Sequence, residues 1–588
     1  MHTPSIDRIT ASALLALCLA ASSASGEGAS LSSTEQFPQT LFIAGGALPI
    51  CSDLAPKSCQ RALPDRTAGR QPWLYQVDPD ALNWLPSEGT DADYIDTLRG
   101  QVEKLLTIAM ERVGPKPIHA AELEDVLFNI CTDGESAEAA PCKNGRRSLW
   151  ARLSDAERAA ILGSLQAPQI EAGVRLRERV FADLTTEPAG LEVLRAFVAE
   201  AARRGGKRPR IAVVTASAQD PFDAVDFYQG AFEALGADAV WWPIDLALAR
   251  TIESDLDCDS LESQRRLHLQ LPDRDRIFPD LARTQAAACA APEALANLPH
   301  ALDGVFFSGG DQWRLRQAFF DRADRAQPWL QALRAAHASG RLVVGGTSAG
   351  AAVQSGAAML SNGSPESAVR GPGRAGPPPI PGCSRGQRCG VGIDEDQLSF
   401  WPAGGLSLAE SASVDTHFSE RAREPRLLRL LAQTSAQIGY GVDEASALQI
   451  DRHAGQLTVR AHGRSGGWVF RRAATSAAGQ LKATVHYLAP GSDLQLAEAA
   501  MDAELAPLEG AHRVDCIERR PAPVADTALQ PGAMRSAARR LAHCGLDSIR
   551  LPAGDGVISL QRLTQTQVVD AAQGISIGPL RMVFRSED

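Results

Sequence analysis

The chain contains no C-x-x-C and no H-E-x-x-H, the short spacings by which zinc is most often held. No metal site is therefore expected, and no cofactor; its scattered histidines and cysteines are read as structural. It has no long basic run and carries a formal charge of -11. Both argue against a nucleic-acid partner, because phosphate backbones demand clustered Lys and Arg. Beyond the N-terminus no apolar run reaches the ~20 residues that span a bilayer. What remains is an ordinary globular balance, 44% hydrophobic and 22% charged over 588 residues. That length suits roughly two to four domains of about 150 residues each.

The first 26 residues read as a signal peptide. Arg8 precedes the apolar run Ala11 to Ala21, and small residues follow, with cleavage expected near Ala24 or Gly26. Export to the periplasm or medium would allow disulfides. Setting Cys18 aside leaves ten of eleven cysteines, an even number. They fall as neighbours: Cys51 with Cys59, Cys131 with Cys142, Cys258 with Cys289, Cys383 with Cys389, Cys516 with Cys544. Sequential pairing into five local disulfides is the economical expectation, although spacing does not fix connectivity.

Along the chain, "QTLFIAGGALPI" (Gln39 to Ile50) reads as a buried strand ending in a Gly-Gly turn. A largely helical segment follows. Apolar spacing predicts helices over Tyr94 to Val113, over Ser148 to Leu165 (where Ser154 and Glu157 would form a cap), and over Gly190 to Arg204. From Arg208 strands and helices alternate, which predicts an α/β fold with a doubly wound, mostly parallel sheet. In such sheets functional groups gather at the carboxyl ends of the strands. Ser361 to Phe400 is rich in Pro and Gly and reads as a long loop, a candidate lid. After Gly439 the chain reads as β-rich, and beyond residue 498 as a tail of mixed character.

At one strand end stands "GGTSAGAA". Gly346, Ser348 and Gly350 form G-x-S-x-G, the pattern of a sharp turn that lifts a serine above a sheet, with Ala349 to Met359 expected as the following helix. A phosphate-binding loop or an ordinary turn fits the pentapeptide too. A serine nucleophile needs a base. His417 lies between Asp415 and the cluster Arg421, Arg423 and Arg426, a setting that also suits a solvated or core histidine. Asp443 and Glu444 follow an apolar strand, where a carboxylate is costly unless it is hydrogen-bonded. Glu444 could orient a histidine, or be a helix cap or surface acid.

Taken in order, "FFSGGDQ", "GGTSAGAA", "DTHFSERAREPR" and "GYGVDEASAL" resemble the successive motifs of the cyanophycinase family, serine peptidases of the S51 group. The resemblance implies a sheet like that of class I glutamine amidotransferases, carried by residues 37–50 and 207–497. Residues 51–206 would then be a helical insertion and 498–588 a C-terminal extension. It implies Ser348 as nucleophile, His417 as base, Glu444 as the acid orienting it, and the N–H groups of Gly310 and Ala349 as oxyanion donors. Gln312, Asp415, Arg421, Arg423 and Arg426 stand at family positions for substrate, a polymer of aspartate with arginine on each β-carboxyl. A solvated helix face is the plainer reading of those arginines. Thr416 departs from the glutamine common in the family. The expected substrate is thus a cyanophycin-like polymer, with other acidic or isoaspartyl peptides and a non-catalytic binding protein as alternatives. The sequence leaves a homodimer open.

Overall fold

The computed structural model describes residues 37–586 apart from 64–68, 72–73, 78–92, 115, 131–147, 154, 387–388, 477–478, 498–502 and 519–527. The expected signal peptide, the Cys131–Cys142 pair and the Ser154 cap lie outside the described residues.

Five parallel strands form one side of a nine-stranded sheet, in the order Gln39–Ala44, Val343–Thr347, Gly304–Phe307, Arg210–Val214, Asp238–Trp241, the last being its edge. Their side chains alternate between two cores. Phe42, Ile211, Val213, Phe306 and Val343 pack with Phe197 and Phe232 on one face. Leu41, Ile43, Val214, Phe307 and Val344 pack with Leu330 and Leu333 on the other. The inner strands Gly304–Phe307 and Val343–Thr347 are buried on both faces, which is why they read as short runs without charge. The helix Ala189–Gly205 covers the first face and ends at Gly206, whose φ of 85° stops it.

The expectation of a mostly parallel sheet is corrected to a mixed one. Strands Ser446–His453, Gln456–Gly463, Ser492–Ala497 and Ala503–Pro507 extend the same sheet from its Gln39–Ala44 edge, antiparallel throughout. The first two are joined by Ala454 and Gly455, both at positive φ, the turn whose twist suits a tight hairpin. A second sheet is antiparallel except for one pair. Ala412–Thr416 runs parallel to Ile438–Val442, which continues through Gly467–Thr475, Leu481–Leu488, Gly574–Ser586 and Gly556–Ala571. The helices Glu424–Gln433 and Ala533–Leu541 pack on this sheet through Leu427, Leu431, Met534, Ala538 and Leu541.

Three local expectations change. The helix after Ser348 stops at Ala352, because the carbonyls of Val353, Gln354 and Ser355 accept from the Gly405–Ala409 backbone instead of continuing the helix. Ser148 to Leu165 breaks into Leu149–Arg152 and Asp155–Leu165, with the Ser148 hydroxyl accepting from the Ala151 amide. The Pro/Gly-rich loop holds a small sheet of Met359–Asn362, Ser399–Trp401 and Arg374–Ala375, and a helix Pro365–Arg370.

Among the described residues four disulfides are present: Cys51–Cys59, Cys258–Cys289, Cys383–Cys389 and Cys516–Cys544. Among the described residues, no helix is long and apolar enough to cross a membrane. Replacing both Cys258 and Cys289 by Ser removes a cross-link between residues 31 apart. Urea unfolding should show a loss of about 2–4 kcal/mol, the usual range for such a link. Non-reducing peptide mapping that recovers any of these eight cysteines in a different pairing would contradict the arrangement.

Candidate active site

The strand Val343–Thr347 delivers Ser348 in a strained conformation, φ 52° and ψ -118°, before the chain turns into Ala349–Ala352. The Ser348 amide donates to the Ala44 carbonyl at 2.9 Å. The flanking glycines are steric necessities. A Cβ on Gly346 would lie 2.3 Å from the Gly350 carbonyl oxygen, and one on Gly350 would lie 2.3 Å from that of Phe307.

His417 follows the strand Ala412–Thr416 in the second sheet, and its own φ is positive, at 49°. Because Thr416 is paired in register with Val442, His417 leaves that sheet beside Asp443 and Glu444. The imidazole Nε2 lies 2.8 Å from the Ser348 hydroxyl oxygen, and Nδ1 lies 2.6 Å from Glu444 Oε1. With Glu444 ionised, Nδ1–H donates to the carboxylate. Nε2 is then left to accept from the hydroxyl. Burial holds the imidazole below its ordinary pKa; the Glu444 hydrogen bond opposes this, while Arg421 and Arg423 add to it. A neutral imidazole at pH 7 can take a proton from the serine.

Sequence reasoning missed what holds the imidazole in place. Gly45 and Gly46 were read only as a strand end. The His417 amide donates to the Gly45 carbonyl at 2.8 Å, and the Ala445 amide to that of Gly46 at 2.9 Å. Gly46 has φ 104°, and a Cβ there would lie 2.3 Å from His417 Cε1. The ring occupies the space that the missing side chain leaves.

Ser348, His417, Gly310, Ala349, Gln312 and Arg421 all line one cleft of about 760 Å³. Pro378 to Pro381, from the Pro/Gly-rich loop, and Leu267 to Gln270 form further wall. Among the described residues, neither the Gly310 nor the Ala349 amide has a protein acceptor. Gln312 donates to the Leu360 carbonyl at 3.0 Å. The three arginines differ. Arg426 is buried, ion-paired to Asp415 at 3.2 Å, and burial lowers its pKa to about 10. Arg423 donates to the Thr416 carbonyl at 2.7 Å and lies 3.3 Å from Asp415. Arg421 is exposed, and its guanidinium makes no hydrogen bond among the described residues. No group of three or more His, Cys, Asp or Glu able to hold a metal occurs among the described residues.

No family profile matches the chain. Comparison with curated proteins finds cyanophycinases. That of Trichormus variabilis is 26% identical over 263 residues, 45% of this chain and 63% of that protein. The Nostoc sp. protein is 30% identical over 164 residues (28% and 44%), and the Synechococcus elongatus protein 32% over 172 residues (29% and 42%). The chain is thus similar to cyanophycinases over part of its length. It spans 42–63% of the length of these three relatives. Among solved structures, a peptidase from an acI-B1 Actinobacterium is similar over 55% of this chain and 92% of its own, at 16% identity and a TM-score of 0.29.

Two outcomes follow from the geometry. Gly46→Ala should leave the far-ultraviolet circular dichroism unchanged but abolish labelling of Ser348 by a fluorophosphonate, since the imidazole is displaced. The labelling rate of the parent should be flat around pH 7 and fall only as His417 protonates, below the ordinary imidazole value of 6.5. A midpoint above 6.5 would contradict the burial argument.

Proposed function

We propose that this protein is a serine peptidase that cleaves a cyanophycin-like polymer of β-aspartyl-arginine units to dipeptides. The reading is carried by the hydrogen-bonded run from Ser348 through His417 to Glu444, on the wall of a cleft with two unengaged amides. Ser348 Oγ attacks the scissile carbonyl carbon while His417 Nε2 takes its proton. The resulting oxyanion faces the Gly310 and Ala349 N–H groups, which act on charge that exists only in the transition state. His417 returns the proton to the leaving amine, and the C–N bond breaks to give an acyl-serine. A water then gives its proton to His417, attacks the ester carbon and releases the acid, and Ser348 recovers its proton.

Arg421, whose guanidinium makes no hydrogen bond among the described residues, is the group to meet a substrate carboxylate. Arg423 and Arg426 act one step back, by holding Asp415 and the strand end before His417. This single open guanidinium supports a second reading, a peptidase for shorter acidic or isoaspartyl peptides. The four disulfides support export to an oxidising compartment.

Ser348→Ala and His417→Ala should each lower kcat by about 10⁴–10⁶, with the double change costing little more. Glu444→Gln should cost less than either. Arg421→Ala should weaken substrate use by about 1.5–3 kcal/mol while Ser348 still reacts with a small fluorophosphonate. Turnover should persist in a chelator, because the triad and backbone amides supply base, nucleophile and oxyanion contacts. Assay of the purified protein on the polymer and on isoaspartyl dipeptides separates the two substrate readings. Equal rates for parent and Ser348→Ala on either would leave a binding protein.

A further inference from the structure

Behind Glu444 lies a charge cluster that the mechanism above does not use. Asp443 is completely buried, at 0% side-chain exposure, and its Oδ1 accepts from the Ser419 amide at 3.0 Å. Its Oδ2 accepts from Arg535 Nη1 at 2.8 Å, and the same Nη1 donates to Glu420 Oε1 at 2.6 Å. The other oxygen of Glu420 accepts from the backbone amide of Glu444 at 3.0 Å. A continuous path therefore runs from Arg535 through Glu420 to the backbone of Glu444, whose carboxylate holds His417.

Arg535 reaches this cluster from the helix Ala533–Leu541, far along the chain. That helix is fixed from several sides. Ala533, Met534, Ala537, Ala538 and Leu541 are buried, the Gly532 amide donates to the Ser419 carbonyl at 2.6 Å, and the Ile517 amide donates to the Ala542 carbonyl at 2.9 Å. Ser419 and Glu420 stand directly after His417 and Phe418, so the helix grips the turn that carries the histidine.

We propose that Arg535 is a positioning residue for the active site: by neutralising and tying together Glu420 and Asp443, it holds Glu444 and the His417 turn in register with Ser348. The proposal rests on the serine-peptidase reading above. Other charged groups face the cluster. Glu424 is buried against it from the helix Glu424–Gln433, and burial raises its pKa to about 8, so it is neutral at pH 7. Tyr487 faces it from the strand Leu481–Leu488, and Arg539 from the same helix as Arg535. His417 itself faces Glu444, Arg421 and Arg423. Burial and Glu420 raise Asp443 to about 6, and Arg535 opposes them. Without the guanidinium two carboxylates stand close together, uncompensated, at the back of the base.

The test reads the fluorophosphonate labelling rate of Ser348 against pH in the full chain. Arg535→Met should slow labelling about 10–100-fold, the range seen when hydrogen-bond partners behind a metal-bound histidine are removed. Its acid limb should move to higher pH, because uncompensated negative charge favours imidazolium. Arg535→Lys keeps the charge and should restore the limb and most of the rate. Glu420→Gln removes a negative charge while leaving Asp443 paired, so its acid limb should move the opposite way, to lower pH. It also serves if Arg535→Met does not fold. A parent that labels at Ser348 while Arg535→Met labels with the same rate and profile overturns the proposal. So does equal slowing in the Met and Lys variants with no shift of the limb, or a limb in Glu420→Gln that stays put. A parent that does not label at Ser348 overturns the peptidase reading instead.

Discussion

Everything at the site depends on how two sheets are stitched together at Gly45, Gly46 and Ala445. Ser348 belongs to one sheet and His417 to the other. The chain passes between the sheets once at this point, leaving the strand Ile438–Val442 of the second and entering Ser446–His453 of the first. Glu444 sits on that passage. Three backbone hydrogen bonds close the seam: His417 to Gly45, Ala445 to Gly46 and Gly45 to Ser446, at 2.8, 2.9 and 2.9 Å. A side chain on Gly45 would lie 2.0 Å from the Asp443 carbonyl oxygen. The seam therefore requires bare backbone, and serine, imidazole and carboxylate meet only because it closes.

The parallel side of the sheet was legible in the sequence because its inner strands are buried on both faces. Such strands announce themselves as short, continuously apolar runs such as Phe306 and Phe307 or Val343 and Val344. The antiparallel wing was only half legible. Runs such as "LQIDRHAGQLTVR" read as strands, but nothing in a run says which sheet it joins. Strand period encodes faces, not partners, so Ser446–His453 and Ile438–Val442, neighbours in sequence, went to different sheets unannounced. The short helix after Ser348 failed for a related reason. Small residues permit a helix, but here the carbonyls that would extend it are taken by a segment about fifty residues away.

At the site, side chains with distinctive chemistry were visible and their supports were not. Ser348, His417 and Glu444 stand out because each is the wrong residue for a bland setting: a hydroxyl among glycines, an imidazole among charges, a carboxylate after an apolar strand. Glycines at 45 and 46 do their part by omission, which no composition or spacing argument detects. Arg423 and Arg426 show the converse. With Arg421 they read as a cluster of three cations, yet their neighbour Asp415 is buried and engages these two. A charge count along a segment cannot tell a guanidinium held within the fold from one that is open to solvent.

The two-sheet arrangement also explains why so much buried charge surrounds the histidine. A base mounted on the same strand set as its nucleophile would inherit its position from the strand register. Here register fixes His417 relative to Glu444, through Thr416 and Val442, and fixes Ser348 relative to Ala44, through Thr347. Among the described residues, no strand pairing relates one pair to the other. The missing constraint must come from contacts across the seam, and backbone hydrogen bonds there are few. The ionic groups act on the second sheet's side of the seam, where a displaced partner would leave a buried charge uncompensated, so they stiffen the turn that carries His417. Asp415 with its two arginines lies before the histidine, and Asp443 with Arg535 and Glu420 lies behind it. The segment that carries His417 is thereby flanked by two such clusters, and one of them draws its cation, Arg535, from near the C-terminal end of the chain.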